Sequence, residues 1–327
     1  MRSAREALAA YVGTRADNLV YVPNATVGIN VVARSLALRP GDEVLGTDRE
    51  YGALDRTWTF ICERRGGRYV RAAVPVPVRS ARQVADAIWA QVTPRTRVLF
   101  CSHIAAPTSL IFPVRELVRR ARAAGIITVI DGAHAPGQIP LRLDALGCDF
   151  YAGNCHKWMC APKGAAFLFA RPAVQAMLSP LVVSWGWRSD RPSGSPFIDE
   201  QEWQGTRDIA AYLAVPAAIE FLRRHRWDRV RARCHGLATR LRAGLLRAGG
   251  RPLSPDSERW YAQMVSVRLP VPDAEAFQRR LYERFRIEVP VLSWNGATLL
   301  RASVQAYNSG ADVRALLGAA AALLASP

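Results

Sequence analysis

The sequence predicts an α/β protein with a mainly parallel sheet, followed by a smaller α/β unit. Short β-branched and apolar runs alternate with longer amphipathic stretches through the first two thirds of the 327 residues. A second, shorter set of such segments follows an arginine-rich helical stretch that begins near residue 228. Alternation of strands and helices is typical of a mainly parallel sheet with helices on both faces.

In the larger part, each predicted strand is a short apolar run between amphipathic helical stretches. Gly125 directly follows one such stretch, as is typical of a glycine that ends a helix and leads into the next strand. The predicted strands are 19–22, 43–47, 97–102, 126–131, 149–153 and 165–169, and the helices between them are 26–37, 51–64, 80–91 and 113–124.

The remainder predicts a smaller unit of the same class. Helices near 209–225 and 228–248 lead to strands near 262–268 and 298–304, which flank a helix at 273–285. We place the domain boundary close to Arg226, so that 1–226 forms the large domain and 227–327 the small one. The Pro- and Ser-rich stretch 189–196 is interpreted as a long loop.

The formal charge of +17 raises the possibility of nucleic-acid binding. Only two of the 44 basic residues are lysines, however, and the arginines are spread along the chain rather than gathered in one patch. This distribution favours solvated helix faces, and we expect no nucleic-acid partner.

No apolar run is long enough for a membrane span, and the first residues lack a signal-peptide pattern. The six cysteines show no regular framework, so most are expected to be buried thiols in a cytoplasmic protein.

Lys157 and Lys163 are the only lysines. Lys157 stands in the segment GNCHKW (153–158), just beyond the end of a predicted strand, where open α/β sheets place their ligands. A partly desolvated amine at such a place is suited to Schiff-base chemistry. The alternative is that both are ordinary surface lysines, which is less favoured in a chain that has no other lysine.

Asp131 ends the apolar run IITVID (126–131). An acid at the end of a buried strand is suited to hold a cation such as a pyridinium N–H. It could also begin a turn with Gly132, or bind a metal with His134. Few acidic residues surround it in the sequence, and Cys155, His156 and Cys160 fit no common zinc spacing, so we predict no metal site.

The segment NATVGIN (24–30) follows one strand and opens a helix. Helix N-termini attract phosphate, and the Thr26 hydroxyl would add a donor. Threonine is also a common N-cap, so this signal is weak alone. Together, an amine, a carboxylate and a phosphate cradle are the groups that pyridoxal 5′-phosphate (PLP) requires.

The chain resembles class V aminotransferase-like PLP enzymes, most closely their isopenicillin N epimerase-like branch. This resemblance implies the fold type I of PLP-dependent transferases, with a mainly parallel seven-stranded sheet and a smaller C-terminal α/β domain. The matching segments are NATVGIN (24–30), REYGA (49–53), SHIAAPTSLIFPV (102–114), VIDGAHAPGQIPL (129–141), GNCHKWMCAPKG (153–164), WQGTRD (203–208), IEVPV (287–291) and LRASVQAYN (300–308).

The resemblance also implies roles for individual residues. Lys157 would form the Schiff base with PLP, Asp131 would contact the pyridine nitrogen, and His134 would lie near the phenolic oxygen of the ring. Thr206 would reach the phosphate of the partner subunit's cofactor, which implies a homodimer with shared sites. The other implied contacts are ring stacking by Tyr51, phosphate binding by Ala25, Thr26, Asn154 and His156, and substrate carboxylate binding by Arg301.

Three features depart from the family pattern. The family usually has a further N-terminal segment that helps to cover the active site, whereas this chain begins in the helix after it. Ser109 stands where the family commonly has glycine, and Ala106 replaces a polar residue. We therefore expect the site to differ from that of relatives on the side of the ring's oxygen, which bears on the identity of the substrate more than on cofactor binding.

For the reaction, we predict action on the α-carbon of an amino acid, by epimerisation or transamination. Epimerisation needs a second acid/base besides Lys157, for which Tyr51 or a water held by His103 is a candidate. The alternatives are a C–S or β-lyase, or a desulfurase-like enzyme. A desulfurase is disfavoured because residues 235–327 contain no cysteine. A non-catalytic dimeric scaffold is the alternative outside enzymes.

Overall fold

The computed structural model describes residues 1–325. They form two compact units. The first comprises Met1–Val74, Val84–His103 and Pro113–His225, and the second comprises Pro75–Gln83, Ile104–Phe112 and the chain from Arg226 onward. Two short segments of the predicted large domain thus belong to the second unit. The division at Arg226 into a large and a small domain stays a prediction.

The first unit is built on a seven-stranded sheet with the strand order β1-β7-β6-β5-β4-β2-β3. Strand β7 runs antiparallel to both of its neighbours, and all other neighbouring pairs are parallel. The prediction of a mainly parallel, seven-stranded α/β sheet is therefore confirmed. Its strands are β1 (Leu19–Val22), β2 (Glu43–Thr47), β3 (Arg68–Ala72), β4 (Thr96–Ser102), β5 (Ile127–Gly132), β6 (Phe150–Asn154) and β7 (Ala166–Ala170).

Helices connect these strands. The single helix predicted at 209–225 is two helices, because Pro216 lacks the N–H that would continue the first one. The helices are α1 (Arg2–Val12), α2 (Ala25–Ser35), α3 (Gly52–Arg65), α4 (Ala81–Trp89), α5 (Val114–Ala123), α6 (Leu143–Leu146), α7 (Pro172–Gln175), α8 (Pro196–Glu202), α9 (Ala210–Leu213) and α10 (Val215–Arg224), with a 3-10 turn at Ala16–Asn18.

The core of the first unit lies between the sheet and its helices. Helix α2 packs on β6 and β7, where Gly28 brings the helix backbone close to the side chain of Ala152. A fully buried cluster that includes Ile29, Trp58 and Phe100 continues this contact along the sheet. Because α2 is held against the middle of the sheet, its first residues lie in a defined place beyond the ends of the strands.

The second unit contains a four-stranded antiparallel sheet of order β10-β11-β9-β8. The predicted strands near 262–268 and 298–304 are β9 and β11. Strands β3, β8 and β10 and helix α13 were not predicted. The elements are β8 (Arg251–Pro252), β9 (Met264–Leu269), β10 (Val291–Trp294), β11 (Ala297–Ser303), α11 (Trp227–Arg247), α12 (Ala274–Phe285) and α13 (Gly310–Ala325).

Segment 104–112 is bound into the second unit by hydrogen bonds. The N–H of Ile111 donates to the carbonyl of Trp260 (2.9 Å), and the hydroxyls of Ser109 and Ser266 are 2.8 Å apart. Ser109 has a φ of 59°, a left-handed conformation that favours glycine. The departure from the family glycine therefore keeps a glycine-like backbone and adds a hydroxyl contact.

Across residues 1–325, no helix combines the length and apolarity needed to cross a membrane. The same range contains no cluster of three or more His, Cys, Asp or Glu side chains that could hold a metal ion. Five of the six cysteines are buried, and Cys160 is exposed.

Candidate active site

Three neighbouring strands of the first unit bring polar residues to one edge of the sheet. Strand β4 ends at Ser102, β5 carries Asp131 next to its end, and β6 ends at Asn154. Ser102 and Asp131 are register partners across the parallel β4–β5 pair. Because these strands are parallel, their carboxyl ends form a common site edge, which is where ligands bind in open α/β sheets.

Lys157 lies at this edge, in the turn that follows β6. Its Nζ is 3.2 Å from His134 Nε2, and the Lys157 side chain is exposed. The other nitrogen of the same ring, His134 Nδ1, accepts a hydrogen bond of 3.3 Å from the indole N–H of Trp158. The structure thus brings together two of the predicted residues and adds Trp158, which the sequence analysis did not single out.

Asp131 is buried, with 5% of the residue exposed, and its Oδ1 accepts the N–H of Ala133 at 2.9 Å. Burial raises the pKa of Asp131, while the hydrogen bond from Ala133 and the charge of Lys157 act in the opposite direction. A buried carboxyl with a raised pKa is most stable as an anion when a cation is close. The environment of Asp131 is therefore suited to a positively charged partner such as a pyridinium N–H.

The start of α2 provides donors for an anion. Asn24 caps the helix by accepting the N–H of Val27 (2.9 Å), and Asn154 accepts the N–H of Ala25 (2.8 Å). These bonds leave the Thr26 N–H and hydroxyl as donors at the positive end of the helix dipole. Asn154 thereby links the end of β6, close to Lys157, to the start of α2.

His156 adds a further group beside Lys157. Its Nδ1 is buried and makes no hydrogen bond within the described chain. Burial lowers the pKa of His156, so its imidazole is neutral at neutral pH. Buried polar atoms without a partner are uncommon and indicate a missing ligand or water.

His103 and Tyr151 form a hydrogen-bonded pair next to Asp131 at the site edge. The N–H of His103 donates to the carbonyl of Asp131 (2.8 Å), and His103 Nδ1 is 3.0 Å from the Tyr151 hydroxyl. Burial lowers the pKa of His103 to about 4. The Tyr151 ring occupies the space that a side chain at Gly132 would need. Glycine after Asp131 thus allows Tyr151 to pack directly behind that carboxyl residue.

Glu50 is a buried acid that the sequence analysis did not single out. One carboxyl oxygen accepts the hydroxyl of Thr47 (2.6 Å), and the other accepts the N–H (2.9 Å) and hydroxyl (2.6 Å) of Ser102. Burial raises the pKa of Glu50 to about 8. The side chain ties the loop that leads into Tyr51 to the end of β4. The sequence signal for Glu50 was its place directly before Tyr51 in the REYGA segment.

Three further residues that the sequence analysis named are exposed to solvent. Tyr51 precedes α3 and is 50% exposed. Thr206 is exposed in the connection between α8 and α9, and Lys163 is exposed in the turn before β7. These three side chains are accessible to a ligand or a second subunit, and their predicted roles stay predictions.

Arg301 belongs to the second unit, on β11. Its Nη1 donates to the carbonyl of Ala106 (2.7 Å), and its Nε is buried without a hydrogen-bond partner in the described chain. Burial lowers the pKa of Arg301. A buried guanidinium with an open donor is suited to bind a carboxylate. The Thr108 hydroxyl, two residues beyond Ala106 in the chain, is also buried without a hydrogen-bond partner among residues 1–325, which the sequence did not indicate.

The residues of the first unit fit PLP. Lys157 would supply the amine, Asp131 would face the pyridine nitrogen, and Thr26 and His156, with its unpartnered Nδ1 as an N–H, would donate hydrogen bonds to the phosphate. The fold and this set of residues are those that a PLP-dependent enzyme of fold type I requires.

The chain belongs to the aminotransferase class-V family, whose profile matches residues 1–316. It is 38% identical to isopenicillin N epimerase of Amycolatopsis lactamdurans over 96% of this chain and 82% of that protein. It is also 38% identical to isopenicillin N epimerase of Streptomyces clavuligerus, over 98% of this chain and 83% of that protein. The predicted family and branch are thus confirmed.

More distant relatives have other names. A probable chloroplastic L-cysteine desulfhydrase of Arabidopsis thaliana is 30% identical over 84% of this chain and 62% of that protein. Among solved structures, the cystine C–S lyase C-DES has a TM-score of 0.85 at 23% identity, over 98% of this chain and 85% of that chain. The cysteine desulfurase CsdA of Escherichia coli has a TM-score of 0.83 at 23% identity, covering 98% and 83%. These structures support the fold.

Proposed function

We propose that the protein removes and returns the α-proton of an amino acid, as an isopenicillin N epimerase-like enzyme whose cofactor is bound by Lys157. The observation that carries the proposal is the 38% identity to two isopenicillin N epimerases over nearly the whole chain. The site supports it, because an amine, a buried carboxyl and an anion-binding helix start lie at one edge of the sheet. Transamination is the alternative outcome of the same proton removal.

In this proposal Lys157 serves as the base on one face of the substrate. Its Nζ takes the proton from Cα, and His134 Nε2 lies 3.2 Å from that amine. PLP, when bound, supplies an electron sink for the charge left at Cα. Asp131 would keep the cofactor nitrogen protonated, which would strengthen that sink.

Epimerisation needs a second acid on the opposite face. Tyr51 is our candidate, because its phenol is half exposed and the loop that carries it is anchored by Glu50. Transamination needs no such group, since Lys157 alone can carry the proton from Cα to the cofactor. The presence or absence of a working second acid would therefore decide between the two reactions.

Turnover in deuterium oxide tests the proposed reaction. PLP-loaded protein is incubated with L- and D-amino acids and with isopenicillin N, and the products are read by NMR and chiral chromatography. We expect deuterium at Cα with loss of chirality. A keto acid would instead assign transamination, and a cleaved side chain would assign the lyase reaction. Protein that binds no PLP would contradict enzymatic function and favour the scaffold alternative.

The lyase alternative is supported by relatives such as a probable L-cysteine desulfhydrase, to which the chain is 30% identical. That relative is matched over a smaller share of its length than the epimerases. Release of sulfide from L-cysteine by the purified protein would assign this reaction.

Arg301 is proposed to bind the substrate α-carboxylate. Replacing Arg301 with alanine should raise KM by about 10²-fold, because a carboxylate would lose charge-assisted hydrogen bonds from a buried guanidinium. The absorption spectrum of the resting protein with PLP should not change. Arg301→Lys is the matched control and should recover part of the affinity. A resting spectrum altered together with KM would contradict the assignment.

We also propose a homodimer. The first unit exposes large apolar side chains that a monomer would leave in water, with Trp185 at 73% and Trp203 at 64% exposure. Thr206, the residue proposed to reach the partner's cofactor, follows Trp203 closely. The exposed set comprises Leu181, Val182, Val183, Trp185, Trp187 and Trp203.

Replacing the exposed tryptophans with charged residues should dissociate the dimer. We expect sedimentation equilibrium to give a dimer for the unchanged protein and a monomer for Trp185→Arg combined with Trp203→Arg, because burying two unpaired guanidinium groups is unfavourable. Tyr282→Arg, at an exposed aromatic residue of the second unit, is the control. A dimer that persists with both substitutions would place the interface elsewhere.

We further propose that the protein is cytoplasmic.

A further inference from the structure

Trp158 and Lys157 are neighbours in the chain, and both contact the same imidazole ring. The indole N–H of Trp158 donates to His134 Nδ1 at 3.3 Å. On the other side of the ring, His134 Nε2 is 3.2 Å from Lys157 Nζ. The ring therefore stands between the indole and the amine, with one nitrogen toward each.

The chemistry of the three groups determines the direction of both hydrogen bonds. An indole nitrogen is only a donor, so His134 Nδ1 must offer a lone pair and carries no proton. A neutral imidazole then has its proton on Nε2, the nitrogen that faces Lys157. An ammonium group cannot accept that proton, because it has no lone pair. The Nε2–H bond to Lys157 forms only when the amine is unprotonated.

We propose that Trp158 is a positioning residue that fixes the tautomer of His134 and thereby holds Lys157 as the neutral amine ready to bind the cofactor. The inference rests on the proposed role of Lys157. Nζ would use its lone pair to form a C–N bond with the aldehyde carbon. Its two protons would leave with the aldehyde oxygen as one water molecule, so no further reactant is needed.

Other titratable groups around Lys157 act on the same equilibrium. Asp131, at the end of β5, attracts an ammonium when it is ionised, and its pKa is raised by burial. His156 is held neutral by burial and adds no charge at neutral pH. The His134 contact opposes Asp131, because a donor that faces Nζ favours the uncharged amine. Loss of that donor would therefore leave the carboxylate to dominate.

Replacement of Trp158 with phenylalanine tests the inference, because it keeps an aromatic side chain and removes the donor. The rate of PLP capture by cofactor-free protein is followed across pH by borohydride trapping of the Lys157 link and by its visible absorption. We expect the apparent pKa for capture to rise by about one unit, so that capture at neutral pH is ~10-fold slower, while the rate at high pH is unchanged.

Trp58→Phe is the matched control. Trp58 is fully buried in the first unit, and its indole nitrogen has no hydrogen-bond partner in the described chain. This variant should keep the pH profile of the unchanged protein. An unshifted profile for Trp158→Phe would overturn the inference, and so would an equal loss of rate at every pH, which would indicate only a distorted site.

A measurement on the unchanged protein decides the matter if Trp158→Phe does not fold. Nitrogen-15 NMR of the cofactor-free protein, with His134→Asn to assign one of its five histidines, should show a proton on Nε2 and none on Nδ1. A protonated Nδ1 would overturn the inference. Peptide mapping separates this result from the proposed function, because a trapped link at Lys163 would contradict the role of Lys157 itself.

Discussion

Lys157→Ala should lose the borohydride-reducible link to PLP and lower kcat by ~10⁴-fold or more. Removing a general base alone costs about 10²- to 10⁴-fold, and this variant also loses the amine that would hold the cofactor. The link is measured by mass spectrometry of the reduced protein, and turnover by the deuterium exchange described above. Circular dichroism of the cofactor-free variant should match that of the unchanged protein, because the Lys157 side chain is exposed.

Lys163→Ala is the matched control for this variant. The chain has two lysines, and Lys163 is exposed in the turn before β7. We expect this variant to keep the link and most of the activity. If the reduced link persists in Lys157→Ala and is lost in Lys163→Ala, the site has been assigned to the wrong amine.

Asp131→Asn should lower kcat by about 10²- to 10³-fold, with a smaller effect on folding. Asparagine can still accept the Ala133 N–H, but it has no charge to keep the cofactor nitrogen protonated, and preorganised charges of this kind account for large parts of a rate. The spectrum of bound PLP should change as well. An active Asp131→Asn variant with an unchanged spectrum would remove Asp131 from the site.

The pH dependence of PLP binding to the cofactor-free protein gives a second measure of Asp131. Burial raises the pKa of this carboxyl, so acid should weaken PLP binding at a higher pH than it would for an exposed aspartate, and Asp131→Asn should lose that acid limb. Asp149→Asn is the control, because Asp149 lies at the opposite end of the sheet, paired with Arg171 at 2.6 Å. It should affect the temperature of unfolding and leave the acid limb in place.

The sequence predicted the strands that are mostly buried, and missed those that are mostly exposed or half-buried. Strand β5 is buried at five of its six positions, so both its position and the acid next to its end could be predicted. Strand β3 is a partly exposed edge strand with arginine at two of its five positions. Helix α13 is rich in alanine and leucine on all sides, which conceals the helical periodicity.

The sequence allowed prediction of those site residues whose own side chain performs the proposed chemistry. Lys157 stood out because lysine is scarce, and Asp131 because it ends a buried strand. The contacts of Trp158 and Glu50 could not be predicted, since they depend on how His134 turns and on how β2 and β4 lie side by side. Side-chain hydrogen bonds between distant segments require the fold and cannot be found from spacing.

The second unit is made of three separate chain segments, which limits where the protein can be cut into independent pieces. Its hydrogen bonds to segment 104–112 include those of Ile111 with Trp260 and Arg301 with Ala106, and Val78 of segment 75–83 donates to the carbonyl of Leu253. A polypeptide that starts at residue 227 would lack both segments. A swap of this unit with that of a relative would therefore have to include segments 75–83 and 104–112 as well as the C-terminal hundred or so residues. Without these segments, backbone groups of the transferred piece would lose their hydrogen-bond donors and acceptors.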